Sequence, residues 1–227
     1  MARDARLPFE RFGMPRTKRV REAQLFPLFL KLRNRPCLVV GAGRVGESKI
    51  AGLLAAGAKL RVVAPQATPK VESWARSRKV QWLQREFRAE DLRGILLVVA
   101  ATSSRDLHQK IFRLARKEGA LCNVVDDPPL CDFYYPAVVR RGALQIAIST
   151  SGRSPALAQR MREQLERQFG PEFEAWLEHL GKLRAKLRTI ASSAAERRRL
   201  LRQQVSQEAF RGFLRRLKRG SSRPAKR

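Results

Sequence analysis

The apolar run Cys37-Leu38-Val39-Val40 leads without a break into Gly41-Ala42-Gly43-Arg44-Val45-Gly46. A glycine pattern of this kind, set between a buried strand and the start of a helix, restricts the fold more than any other stretch of the chain. Gly41 permits a tight turn, Gly43 has no side chain to hold a phosphate away from the backbone, and Gly46 lets helix and strand approach closely. The helix that follows presents unpaired N–H groups and the positive end of its dipole to the turn. The expectation is an α/β fold whose first turn binds the pyrophosphate of a nicotinamide dinucleotide.

The rest of the first half keeps that rhythm. Residues 45–56 have helical spacing, with Val45, Ile50, Leu53 and Leu54 apolar, and Gly57 ends the helix. Residues 60–64 form a second strand that Pro65 is expected to stop. Residues 69–77 read as a helix, 80–83 as a short strand, 95–101 as a central strand, 106–118 as an amphipathic helix and 121–125 as a further strand. Strands alternating with helices over short links imply a Rossmann-type, doubly wound parallel sheet. The character changes after Pro128-Pro129. Residues 135–139 and 144–149 read as two strands joined by a turn. Ser154 caps a helix that begins with Pro155 and ends near Phe169, and Gly170-Pro171 breaks it. Residues 172–187 and 194–217 are helical and rich in arginine. The expected organisation is a basic, disordered arm over 1–24, the Rossmann domain over 25–135, a small α+β region over 136–170, a helical part over 171–219 and a basic tail over 220–227.

Four segments at the ends of these strands carry candidate chemistry. After the second strand stands Ala64-Pro65-Gln66, without the acidic residue that usually holds the ribose of NAD. Gln66 could bond the ribose, and Arg61 or Arg44 could meet a 2′-phosphate, so the residues alone leave NAD and NADP open. Ala100-Ala101-Thr102-Ser103-Ser104 is small enough to admit the nicotinamide half, and Ser104 is also a helix cap. Asn123-Val124-Val125-Asp126-Asp127-Pro128 places two carboxylates at the carboxyl end of a strand, where ligands bind in such sheets. Adjacent carboxylates raise one another's pKa, and Asp-Asp-Pro is also good turn chemistry. Ser149-Thr150-Ser151-Gly152-Arg153-Ser154 is a hydroxyl-rich loop before a helix, suited to an anion or simply to capping.

Composition narrows the partners. The chain of 227 residues has no apolar run of about 20 residues, the length a membrane helix needs. No signal-peptide pattern is present, so a cytoplasmic protein is expected. Three cysteines without a C-x-x-C pair suggest free thiols, and two distant histidines form no zinc motif. The formal charge of +28 divides as +4, +13 and +11 over residues 1–24, 25–165 and 166–227. A field so diffuse attracts polyanions in general. Nucleic-acid binding is expected to be nonspecific, because few aromatics interleave with the C-terminal arginines.

Taken in order, several segments resemble the precorrin-2 dehydrogenase / sirohydrochlorin ferrochelatase family, the NAD-dependent module of siroheme synthases. They are Phe26-Pro27-Leu28-Phe29-Leu30, Val39-Val40-Gly41-Ala42-Gly43-Arg44-Val45, Val62-Val63-Ala64-Pro65, Ala100-Ala101-Thr102, Asn123-Val124-Val125-Asp126-Asp127-Pro128, Phe133-Tyr134-Tyr135-Pro136-Ala137 and Ser149-Thr150-Ser151-Gly152-Arg153-Ser154-Pro155. The resemblance implies NAD-dependent oxidation of precorrin-2 to sirohydrochlorin, with Fe²⁺ insertion in some members, by a homodimer whose dimerisation region is 136–170. It implies Asp126 as the catalytic residue and NAD contacts at Arg44, Val45, Pro65, Gln66 and Thr102 beside the glycines. Asn123, Ser149, Thr150, Ser151 and Arg153 become candidate substrate-binding residues, and the protein itself is expected to hold no metal. The alternative from the glycine turn alone is a non-catalytic NAD-sensing domain. Two departures stand out. Many members have alanine at the position of Gly46, expected to be a harmless exchange, and many have Thr-Asp where this chain has Thr102-Ser103. The methyltransferase domain sometimes fused downstream is not expected.

Overall fold

A computed structural model describes residues 25–191 and 193–221. The predicted arm over 1–24 and all but the first two residues of the predicted tail lie outside the described residues. Two units are distinguished, one ending at Leu30 and one beginning at Lys31. In the first, residues 25–30 have no regular secondary structure, and Phe26 and Phe29 are largely exposed.

The second unit opens with five strands: β1 (Pro36–Ala42), β2 (Lys59–Ala67), β3 (Gln81–Leu83), β4 (Leu97–Ala100) and β5 (Leu121–Val124). All pair in parallel, in the order β3-β2-β1-β4-β5. Between them run α1 (Arg44–Ala55), α2 (Pro69–Arg76) and α3 (Arg105–Lys117). The period-two alternation of the strands divides the core. Val39, Val62 and Val99 face one side, where they pack with Ile50 and Leu53 of α1 and Val71 of α2. Leu38, Val40, Val98 and Ala100 face the other, with Ile111 and Ala115 of α3. Helices cover both faces, so the inner strands are apolar throughout rather than alternately polar.

Two of the expectations need correction here. β2 does not stop at Pro65 but runs to Ala67. Its register with β1 jumps from Val40↔Val63 to Ala42↔Ala67, so Pro65 sits in a bulge where no ladder N–H is needed. The Trp82 indole donates to the Ala64 carbonyl at 3.0 Å within that bulge. The long C-terminal helix is in fact two, α6 (Ala194–Gln203) and α7 (Gln207–Ser221). Ser206 starts the second: its hydroxyl accepts from the Ala209 N–H at 3.1 Å and its carbonyl from Phe210. The break lets Phe210 stack on Phe173 and Trp176 of α5 (Glu172–Ile190), with centroids 4.8 and 4.5 Å apart. The antiparallel hairpin β6 (Ala137–Arg141) and β7 (Leu144–Ile148) packs on α4 (Pro155–Gln168) and α5. Arg141 fastens α4 to this hairpin by donating to the Glu166 and Phe169 carbonyls at 3.0 and 2.8 Å.

One buried carboxylate, not singled out in the sequence, holds the link between β3 and β4. Asp91 is almost fully buried and accepts from Arg85 Nη1 and Nη2 at 2.9 and 2.6 Å and from the Arg88 N–H at 2.8 Å. Burial alone would raise its carboxyl; the Arg85 guanidinium and the Arg88 N–H outweigh burial and hold it below the usual aspartate range. The folded value lies below the unfolded one. The stabilisation is therefore complete above about pH 4, the ordinary aspartate value, and is lost as the pH falls further. Asp91→Asn is expected to cost about 1.5–3 kcal/mol at neutral pH. Denaturant unfolding at pH 7 and pH 3 checks this, since the gap between variant and wild type should shrink at the lower pH.

Candidate dinucleotide and substrate site

The strand order places a switch point between β1 and β4, because the chain leaves β1 toward β3 and returns to β4 on the other side. A crevice opens there at the carboxyl ends of the strands. Three of the predicted segments reach this edge: the glycine turn after β1, 101–104 after β4 and 125–127 after β5.

Each glycine of the turn has a distinct reason to be glycine. Gly41 has φ +99°, and a Cβ there would lie 2.3 Å from the Ala101 carbonyl oxygen. Gly43 has no heavy atom within 4 Å of a built Cβ, so its empty side faces open space. Gly43 also occupies the cap position of α1 with no side chain closing the helix end. At Gly46 a Cβ would lie 2.2 Å from the Gly41 carbonyl oxygen. Alanine at 46 is therefore not the harmless exchange expected: it requires α1 to move away from the turn. Arg44 and Val45 are exposed at the start of α1.

The far side of the crevice is braced by contacts that sequence reading missed. Glu47 in the first turn of α1 accepts from Thr68 Oγ1 at 2.7 Å and pairs with Lys70 at 3.3 Å. The Thr68 hydrogen bond, then Lys70, lowers the Glu47 carboxyl below its usual value. Pro65 and Gln66 are exposed beside this corner. Arg61, in contrast, belongs elsewhere. It aligns with Gln81 and Leu38, donates to the Asp91 carbonyl at 3.2 Å, and lines a cleft of about 470 Å³ with Pro36, Lys59, Arg78 and Lys79 at the amino ends of the strands. It is not a candidate for a 2′-phosphate at the carboxyl edge.

Thr102 follows β4, and its Oγ1 is buried without a hydrogen-bond partner. A buried hydroxyl left unpaired is costly, so the site has an unmet donor and acceptor that a ligand can satisfy. Ser104 caps α3, as expected, accepting from the Leu107 N–H at 3.3 Å.

The segment after β5 is a tightly fastened loop. Asp132 accepts from the Cys122 N–H at 2.9 Å and returns its own N–H to the Cys122 carbonyl. Asn123 is buried and donates to the Phe133 carbonyl at 2.8 Å. Cys131 donates its thiol to the Val124 and Asp127 carbonyls at 3.1 and 3.3 Å. Asn123 thus serves as a fastener, its amide nitrogen engaged within the protein. The tip of the loop is Asp126, exposed, with φ +61°. A non-glycine residue in the left-handed region is uncommon, and aspartate is among those that tolerate it.

Lys49, one turn into α1, stands near this tip. Its Nζ lies 3.9 Å from the centroid of the Tyr135 ring. Burial lowers its ammonium from the usual value, and the nearby Asp126 and Cys131 act in the opposite direction. No local pattern in the sequence marks it, because a lone lysine on a helix reads as a solvated face.

The hydroxyl-rich loop is hydrogen-bonded largely within itself, in the capping arrangement that was one of its two expected uses. Thr150 Oγ1 accepts from the Ser154 N–H at 3.3 Å and donates to the Ser154 carbonyl at 3.2 Å. Ser149 Oγ accepts from the Ser151 N–H, and Ser154 Oγ accepts from Leu157 at the start of α4. Thr150 and Ser154 are thereby engaged in capping. Ser149, Ser151 (φ +53°), Gly152 and Arg153 are exposed, while Thr150 and Ser154 are half-buried.

Comparison with known proteins agrees with this geometry. A family described as "Putative NAD(P)-binding" matches residues 28–137, and one described as sirohaem biosynthesis protein central matches residues 141–168. Siroheme synthase of Neisseria meningitidis serogroup C (strain 053442) is 41% identical over 181 residues, 80% of this chain and 38% of that protein. Siroheme synthase 1 of Serratia proteamaculans (strain 568) is 39% identical over 173 residues, 76% of this chain and 36% of that protein. The chain spans less than two-fifths of the length of these relatives. Among solved structures, SirC, precorrin-2 dehydrogenase, superposes with a TM-score of 0.71 at 26% identity, covering 86% of this chain and 100% of that one.

Proposed function

We propose, from the premise that this chain belongs to the family of precorrin-2 dehydrogenases, the NAD-dependent part of siroheme synthases, that it oxidises precorrin-2 to sirohydrochlorin with NAD⁺. The observation that carries the reading is the shared edge: an uncapped helix behind Gly43, an unpaired buried hydroxyl at Thr102 and a carboxylate at Asp126 all stand at the carboxyl ends of β1, β4 and β5.

The residues fit a dinucleotide. Gly41, Gly43, Arg44, Val45 and Gly46 would cradle the pyrophosphate on the α1 N-terminus. Pro65 and Gln66 would meet the ribose, and Thr102 would hydrogen-bond the nicotinamide half. NAD⁺ bound there supplies the hydride acceptor. Oxidation removes one hydride and one proton from the macrocycle, and Asp126 accepts that proton at its carboxylate or steadies the pyrrole N–H groups. Ser151 and Arg153, with Ser149, would hold carboxylates of the substrate. We assign homodimer formation to the hairpin and α4, and the cytoplasm as the location. Among the described residues no helix is long and apolar enough to cross a membrane. Iron, where it is inserted, would be a substrate entering the macrocycle. A sensing module without catalysis draws no support from the relatives.

Supplying precorrin-2 and NAD⁺ and following NADH together with the tetrapyrrole spectrum tests the reading; no NADH would overturn it. Thr102→Val gives a sharper check on the cofactor edge. It removes a hydroxyl that has no partner, so the melting temperature should hold or rise. NAD⁺ affinity should fall about 5–10-fold, the worth of one hydrogen bond. Unchanged affinity by titration calorimetry would remove Thr102 from the cofactor contacts.

A further inference from the structure

We propose that Lys49, backed by the ring of Tyr135 and set beside the Asp126 loop, forms a carboxylate-binding subsite for the tetrapyrrole. The inference rests on the reading above and extends it to a residue that the family resemblance did not assign.

The geometry is that of a cation held in readiness. The ammonium is half-buried, with one side covered by the Tyr135 ring at 3.9 Å. A ring face attracts a cation but does not neutralise it. No carboxylate is in salt-bridge contact with Lys49 among the described residues. The groups that act on it electrostatically are Asp126 and Cys131, both on the loop after β5. Burial pushes the Cys131 thiol up, and burial with nearby Cys37 pushes the Tyr135 hydroxyl up to about 12. Both therefore stay neutral near pH 7, which leaves Asp126 as the group on that loop that favours the charged amine.

Lys49 and Asp126 sense one another without closing into a pair. The Tyr135 ring covers one side of the amine, and the loop that carries Asp126 is fastened by the bonds of Asn123, Cys131 and Asp132. The two groups offer a cation for a carboxylate and an anion for an N–H. A macrocycle with pyrrole N–H groups and peripheral carboxylate arms presents both.

The test is kinetic and structural together. Lys49→Met should raise KM for precorrin-2 about tenfold or more, with a smaller change in kcat. NAD⁺ affinity and melting temperature should stay close to wild type. The rise of KM with ionic strength should be shallower in the variant, since one attractive charge is gone. Lys49→Arg, which keeps the charge and the ring contact, should restore most of the loss. If Lys49→Met fails to fold, Lys49→Gln replaces it in the same comparison. An unchanged KM, or an arginine variant as poor as the methionine one, overturns the subsite. Spectral titration with sirohydrochlorin reads binding without turnover. It keeps the two claims apart: a wild-type protein that makes no NADH sinks the dehydrogenase reading, while equal sirohydrochlorin affinity in wild type and Lys49→Met sinks the subsite.

Discussion

Asp126→Asn is expected to lower NADH formation from precorrin-2 by about 10²–10⁴-fold, the usual worth of a positioned acid or base. The exchange is chosen for what it leaves alone. Asparagine has nearly the same size and tolerates the left-handed backbone at least as well as aspartate, so φ +61° needs no adjustment. The side chain is exposed at the loop tip, and the hydrogen bonds that fasten the loop come from Asn123, Cys131 and Asp132, not from Asp126. Melting temperature and NAD⁺ affinity should therefore match wild type. What disappears is the negative charge and the ability to accept a proton. Wild-type turnover in this variant, with NAD⁺ binding intact, would show that the carboxylate is only a turn residue. Asp127→Asn is the natural control: its neighbouring side chain is half-buried, and its exchange should leave most of the activity.

The second large effect concerns Gly41 and separates folding from binding within one turn. Gly41→Ala should be severely destabilising. The left-handed region costs an alanine about 1–2 kcal/mol. The added methyl would also lie 2.3 Å from the Ala101 carbonyl, which is backbone and cannot swing aside. Together these should reach on the order of 3–4 kcal/mol, a fall in melting temperature of about 10 °C for a domain of this size. Gly43→Ala should behave in the opposite way. Gly43 has φ −73° and nothing within 4 Å of a built Cβ, so the protein should melt normally. Its methyl would stand where the pyrophosphate approaches, so NAD⁺ affinity should fall by tenfold or more. Thermal melts and NAD⁺ titrations on the two variants check both halves. Normal stability in Gly41→Ala, or normal binding in Gly43→Ala, would contradict the assignment.

The glycine turn is thus where sequence and structure agree most closely, and its surroundings show where local reasoning stops. Caps were readable because they are local. Ser104 and Ser154 accept from N–H groups three residues on, a relation written in the chain itself. The two-face division of β1, β2 and β4 was readable for the same reason, since side chains alternate with period two. Pro65 misled because a bulge in the β1–β2 ladder removed the need for its missing N–H. Arg61 misled because its place along β2 put it with Asp91 and Gln81, near the amino ends of the strands.

The sequence by itself determined the alternation of strands and helices, a glycine turn of the kind suited to a phosphate, and the presence of Asp126 at the end of a strand. These follow from periodicity, from backbone preference and from the short reach of capping hydrogen bonds. Only the tertiary structure decided which loops share an edge and what their side chains are doing there. It placed Ala101 against Gly41, left Thr102 Oγ1 unpaired, engaged Asn123 and Thr150 in hydrogen bonds of their own, and set Lys49 on Tyr135 beside the Asp126 loop. The physical reason is that the approach of Ala101 to Gly41 and of Tyr135 to Lys49 joins residues far apart in the chain, and their meeting depends on strand order and crossover, which no local pattern encodes.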